Sequence, residues 1–215
     1  ASLRRMEGMR PRIAHFRALG LAVALAAAGA PPLPALTGGW VETPHSKARL
    51  VSRWAVAPRG GDAGLGIEFA LAPGWHVYWK NSGDAGYAPR LALAAHPGLG
   101  PAVLRFPAPH RFELPGDLVS FGYEQGVIYP LDAALAPEAP DRLELRGQLD
   151  YLVCAEKCIP YRADLALDLA VADAGAVDAG LAPEIDGWRS RLPRPATAAG
   201  ADLRVTTHVE TGAYP

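Results

Sequence analysis

Residues 143–171 read LELRGQLDYLVCAEKCIPYRADLALDLAV. Leu143, Leu145, Leu149, Tyr151 and Val153 alternate with Glu144, Arg146, Gln148, Asp150 and Leu152. Beyond the cysteines, Leu165, Leu167, Leu169 and Val171 alternate with Ala166, Asp168 and Ala170. Successive side chains of a strand point to opposite faces, so each flank reads as a strand with one buried face. Two such runs around a short polar loop predict a hairpin, with Cys154 and Cys158 where the strands meet and Ala155-Glu156-Lys157 at the tip. Pro160 supports this by pushing Ile159 toward the extended region. A regular helix is a poor host for a bridge between these cysteines. Residues four apart on a helix hold their Cβ atoms roughly 5–6 Å apart, whereas a disulfide needs about 3.5–4.5 Å.

The remaining chain reads as short strands and turns. Lys47–Ala57 is expected to be one strand, with Leu50, Trp54 and Val56 on one face. Leu65–Leu71 alternates cleanly, Pro73-Gly74 marks a turn, and Trp75–Trp79 is aromatic and β-prone. Asn81–Gly86 reads as a loop, Tyr87–Ala95 and Val103–Phe106 as short strands, and PAPHRFELPG as a Pro-rich connection. Val127–Leu131 carries Pro130, which predicts an edge or a strand end. Ile185–Leu192 is the one short helix expected after residue 30, ended by Pro193 and Pro195. Seven or more short strands with frequent turn signals predict an all-β fold, an immunoglobulin-like antiparallel β-sandwich. With 23 Gly and 21 Pro in 215 residues, about a fifth of the chain breaks regular structure, against an average of roughly 12%. That load disfavours a helix bundle.

The N-terminus reads as an address. Arg4, Arg5, Arg10, Arg12 and Arg17 precede the apolar run ALGLAVALAAAGA over 18–30, followed by Pro31, Pro32 and Pro34. A run of about 13 apolar residues is too short to span a bilayer and fits the core of a secretory signal. The expected organisation is a signal peptide with upstream residues over 1–30, a sandwich domain over 40–192, a linker over 193–201, and the start of a second domain over 202–215. A formal net charge of −1 excludes a strongly basic nucleic-acid binder, and 50% hydrophobic residues exclude a disordered chain.

Export to an oxidising compartment permits a disulfide. Closing a loop of about five residues is a weak staple, about 2 kcal/mol in the loop-entropy model against about 3 for 15 residues. Three readings of Cys154 and Cys158 follow: redox exchange, a small structural disulfide, or a metal site. Lys157 would favour a neighbouring thiolate and Glu156 would oppose it. Two soft thiolates with His45, His76 or His110 would suit Cu(I), which makes a copper-binding module one alternative and a passive binding sandwich another. Trp75, Tyr78 and Trp79 read as core, and His76 among them as a structural histidine. No phosphate-binding loop, dinucleotide motif, nucleophile elbow or zincin motif occurs, and the redox reading needs no cofactor.

YLVCAEKCIP, GWHVYWKNSGDAG, and FPAPHRFELPG with SFGYEQGVIYPL together resemble the N-terminal periplasmic domain of the DsbD family of thiol:disulfide interchange proteins, in particular the ScsB-like branch associated with suppression of copper sensitivity. The similarity runs from about Trp40 to about Trp188. The resemblance implies an immunoglobulin-like domain that receives electrons from a thioredoxin-like domain, itself fed by a membrane-embedded carrier of the same parent chain. The domain then reduces periplasmic disulfide-containing partners on the outer side of the bacterial inner membrane. It implies that Cys154 and Cys158 are the active pair, with Cys158 as nucleophile and Cys154 as resolving thiol. The Cys-x3-Cys spacing is shorter than in the best-known DsbD proteins and similar to the ScsB-like branch. SFGYEQGVIY resembles the family's aromatic cap loop, which implies Phe121 and then Tyr123 as the cap over the pair. The order of Gly and Tyr in it departs from the family pattern.

Overall fold

A computed structural model describes residues 38–195, apart from 115, and residue 206. The expected signal peptide, the linker from 196 onward and the start of a second domain lie outside the described residues.

Along the chain the strands are β1 (Val41–Glu42), β2 (Ser46–Ser52), β3 (Trp54–Pro58), β4 (Leu65–Leu71), β5 (His76–Gly83), β6 (Arg90–Leu93) and β7 (Val103–Leu104). There follow β8 (His110–Leu114), β9 (Leu118–Glu124), β10 (Gly126–Asp132), β11 (Arg142–Cys154), β12 (Cys158–Ala172), β13 (Ala176–Val177) and the helix α1 (Leu181–Arg189). Among the described residues these strands form two sheets. One has the order β1-β2-β4-β10-β7; the other runs β13-β3-β12-β11-β5-β9-β8, with β6 also on β11. Every pairing is antiparallel except β3 with β12. The architecture is the expected antiparallel β-sandwich.

The core lies between the sheets. Leu50, Ile67, Phe69 and Tyr129 from the first meet Leu145, Tyr151, Leu165 and Leu167 from the second, all 2% exposed or less. The alternation of residues 143–171 is realised as expected: Leu143, Leu145, Leu149, Tyr151 and Val153 face inward, opposite Leu169, Leu167, Ala163, Tyr161 and Ile159 on β12. The outer face carries cross-strand polar pairs, such as Arg162 to Asp150 at 2.7 Å and Gln148 to Asp164 at 3.2 Å. A one-residue slip would bury these polar groups, so the register is strongly specified.

Several expectations are corrected. Lys47–Ala57 is two strands, β2 and β3, and they belong to different sheets. The chain crosses over at Arg53, so Trp54 and Val56 are only half-buried while Leu50 is fully buried. The Asn81–Gly86 loop is partly strand, because β5 continues to Gly83. The Pro-rich connection contains β8, which pairs with β9 from His110 to Leu114. Pro130 sits in the interior of its sheet, opposite Gly66 of β4. Its carbonyl accepts from Arg105 N–H at 2.8 Å, so its missing N–H faces the β7 side. There β7 pairs only with Leu131 and Asp132, and no ladder bond is lost. The helix starts earlier than expected, at Leu181, with Pro183 in the first turn, where its missing N–H has no intrahelical partner to lose. Asp178 Oδ1 accepts from the N–H groups of Gly180 and Leu181 at its start.

Candidate functional site

Cys154 ends β11 and Cys158 begins β12; they are the last register pair of the hairpin, bonded as a disulfide, with Cα atoms 4.1 Å apart. Ala155, Glu156 and Lys157 form the turn, as expected, closed by the Ala155 N–H donating to the Lys157 carbonyl at 3.2 Å. Glu156 and Lys157 are exposed.

The two sulfurs have different surroundings. Val153 faces the inter-sheet core, so alternation turns Cys154 to the outer face of the second sheet. It is nevertheless only 2% exposed, because β5 lies alongside β11 at this end and covers it. Cys154 packs with Tyr78 and Leu152 in a small apolar cluster outside the main core. Cys158 is exposed. On its strand the far edge is joined by β3 only at Val171 and Ala172, at the other end of β12.

His76 is the register partner of Cys154, and Glu124 of β9 is the register partner of His76. The imidazole is 5% exposed, stacked on Phe112 of β8 at 5.0 Å between ring centroids and edge-on to Tyr78 at 5.1 Å. Burial pushes its pKa below the ordinary value, with Glu124 opposing. The hydroxyl of Tyr78 lies 3.5 Å from Cys158 Sγ and is the donor, since a disulfide sulfur carries no proton. Burial pushes the Tyr78 hydroxyl up, and Ser120 opposes this. Gly86, with φ of 83°, lies against the face of that ring; a Cβ there would run into it. The NSGDAG stretch therefore seats Tyr78 against the disulfide.

The expected cap loop has a different form. SFGYEQGVIY runs from β9 of the second sheet into β10 of the first, the chain turning at Gln125, whose φ is 63°. Tyr123 is in the inter-sheet core, 1% exposed, and donates to the Pro107 carbonyl at 2.6 Å. Alternation puts Phe121, half-buried opposite Arg111, on Tyr123's face of β9. Phe112 lies opposite Ser120, on the disulfide's face. The aromatic groups beside the pair are thus Tyr78 and His76, with Phe112 stacked on His76, whereas the sequence reading assigned Tyr78 to the core and passed over Phe112. The signal available was the 76/78 spacing in WHVYW: two residues apart on a strand share a face.

Of the candidate copper ligands, His45 stacks on Trp75 at 3.8 Å and His110 lies on β8. Among the described residues no group of three or more His, Cys, Asp or Glu side chains stands together as a metal site. No helix among them is long and apolar enough to cross a membrane.

The chain resembles the crystal structure of the N-terminal periplasmic domain of ScsB from Proteus mirabilis, with a TM-score of 0.57 and 25% identity. The match covers 74% of this chain and 60% of that one, so this chain spans less than two thirds of the solved ScsB domain. A second match is the reduced N-terminal domain of DsbD from Neisseria meningitidis, with a TM-score of 0.32, 15% identity, and coverage of 57% of this chain and 86% of that one. No curated protein matches the chain. Residues 47–170 match the family model described as thiol:disulfide interchange protein DsbD, N-terminal, and this span contains both cysteines and every group described around them. The chain therefore belongs to the DsbD N-terminal domain family, a thiol:disulfide interchange domain whose cysteine pair is Cys154–Cys158.

Proposed function

We propose that this chain is a periplasmic exchange domain that passes electrons through Cys154 and Cys158 from a thioredoxin-like donor domain, supplied by a membrane-embedded carrier, to exported proteins carrying a disulfide. The observation that carries this reading is the unequal exposure of the pair: Cys158 is open to solvent at a hairpin tip while Cys154 is 2% exposed. Exchange needs one sulfur that a partner can reach and a second, close by, that the partner cannot.

In the reducing direction the Cys158 thiolate attacks the partner disulfide. A mixed disulfide forms and one partner sulfur leaves as a thiolate. Cys154, as thiolate, then attacks Cys158 Sγ. The Cys154–Cys158 bond re-forms, and the second partner sulfur leaves. Two electrons pass from the pair to the partner, whose released thiolates take up protons from solvent in place of those the pair gave up to it. Tyr78 donates toward Cys158 and so favours its thiolate, and Lys157 in the adjacent turn adds a positive charge. Tyr78, His76 and Phe112 cover the Cys154 side of the pair, so a partner approaches Cys158. Tyr123 acts at one remove, as the partner of Val77 that fixes β9 against β5, and Phe121 as the partner of Arg111 that fixes β9 against β8.

The test is a redox titration of the chain against thiol buffers, read by alkylation and mass. An exchange domain equilibrates at roughly −180 to −270 mV. A pair that stays oxidised below about −300 mV is a structural bridge and overturns the reading.

A further inference from the structure

We propose that Nε2 of His76 is the hydrogen-bond partner of the Cys154 sulfur whenever the disulfide is open, and that it holds this buried sulfur as the leaving group of exchange. The inference rests on the exchange reading above and assigns a role to the histidine within the same site.

Three observations converge on it. His76 and Cys154 are register partners across β5 and β11, so their side chains lie side by side on one face of the sheet. Both are almost wholly buried, at 5% and 2% exposure. Nε2 of His76 is buried and has no hydrogen-bond partner. Buried polar atoms are nearly always paired, and an exception asks for a reason. Here the reason is the redox state. A disulfide sulfur carries no proton and is a weak acceptor. Opening the bond turns Cys154 into a thiolate or thiol, a charged acceptor or a donor, on the residue paired across the strands with the histidine that carries the unpaired nitrogen.

The step balances. A donor thiolate attacks the exposed Cys158 Sγ and forms the mixed disulfide. The Cys154–Cys158 bond breaks, and its electron pair goes to Cys154 Sγ, which leaves as a buried thiolate. The neutral imidazole donates Nε2–H to that thiolate. The donor's second thiol then loses its proton and attacks its own sulfur in the mixed disulfide, and Cys158 leaves as a thiolate. Two electrons pass from the donor dithiol to the pair; the protons the donor thiols lose go to solvent, from which the Cys154 and Cys158 thiolates take up theirs. Burial keeps the imidazole neutral, so it supplies a hydrogen bond rather than a full charge.

The other polar groups around the ring are placed for other tasks. The Tyr78 hydroxyl, on the same strand, points to Cys158. Glu124, across on β9, is exposed and would repel a thiolate. His110 of β8 pairs with Gly122 and is exposed. Glu156 and Lys157 lie in the open turn, next to Cys158.

The experiment follows the His76 ring nitrogens by NMR in the 215-residue chain at pH 7, oxidised and after opening the bridge with a phosphine. The phosphine opens the bridge whatever its potential, so this result does not depend on the pair being an exchange site. The expected result is a shift of the Nε2 resonance on reduction, while C154A, which has neither the bridge nor a sulfur at position 154, keeps Nε2 away from the reduced position. An Nε2 resonance unchanged by reduction, or found at the reduced position in C154A as well, overturns the inference even if the redox titration supports exchange. As a second measure, H76F is expected to be reduced by dithiothreitol about tenfold more slowly than the unaltered chain, with H76Q recovering part of the rate as a neutral N–H donor. Equal rates for folded H76F and the unaltered chain overturn it as well.

Discussion

The hydroxyl of Tyr129, on β10 of the first sheet, donates a 2.8 Å hydrogen bond to the backbone carbonyl of Tyr78, on β5 of the second. Both residues are fully buried. The bond crosses the core directly behind the residue whose side chain reaches the disulfide on the outer face. The position of the site is thus tied to the packing of the two sheets. Removing the hydroxyl in Y129F leaves a buried carbonyl without this partner, at a cost of about 1–3 kcal/mol. Urea unfolding of the oxidised protein is expected to show that loss with an unchanged denaturant slope.

Tyr78 is expected to govern the acidity of Cys158. In Y78F the exposed thiolate loses a donor, and a hydrogen bond to a charged group contributes about 1.5–3 kcal/mol. The alkylation rate of reduced Cys158 at pH 6 should therefore fall about tenfold or more. G86A should give a similar change without touching the hydroxyl, because the added methyl drives the ring from its seat. A G86A protein that keeps the unaltered alkylation rate would show that the ring's position is unimportant.

The two cysteines should behave unequally when separated. C154S retains the exposed Cys158 and is expected to form a mixed disulfide with an aromatic disulfide reagent rapidly. C158S retains only the buried Cys154 and should react at least about tenfold more slowly, since reactivity follows thiolate character and access. Equal rates for the two variants would mean that burial of Cys154 does not protect it.

Alkaline pH should destabilise the fold through its buried phenols. Burial raises the hydroxyls of Tyr78, Tyr123, Tyr129 and Tyr151 above the ordinary tyrosine value. The unfolded chain loses these protons near pH 10, while the folded chain retains them to higher pH. Their contribution is therefore complete below about pH 10 and declines as pH rises from there toward the folded values. Urea midpoints measured from pH 8 to 11 should fall in the upper part of that range. Y123F should fall less steeply, one such phenol having been removed.

The places where sequence reading and structure part company share a cause. The hairpin of residues 143–171 was legible because alternation is a property of neighbouring residues. Leu65–Leu71 was legible for the same reason. The division of Lys47–Ala57 into strands of two different sheets was not, because β2 and β3 differ only in which distant strands they join, β4 or β12. The strand β8 was hidden by flanking prolines that lie outside its paired residues. The assignment of the cap followed a linear motif, and strand pairing turned Tyr123 into the core while bringing Tyr78 to the sulfurs and Phe112 onto His76.

The amino-acid sequence by itself determined that the two cysteines close the tip of a hairpin, since the periodicity on either side and Pro160 leave the short polar loop as the only turn. Only the tertiary structure decided that these chemically identical sulfurs are unequal. Burial depends on which strand is laid alongside: β5 covers the end of β11 that carries Cys154 with His76 and Tyr78, while the edge of β12 that carries Cys158 is joined by β3 only at Val171 and Ala172.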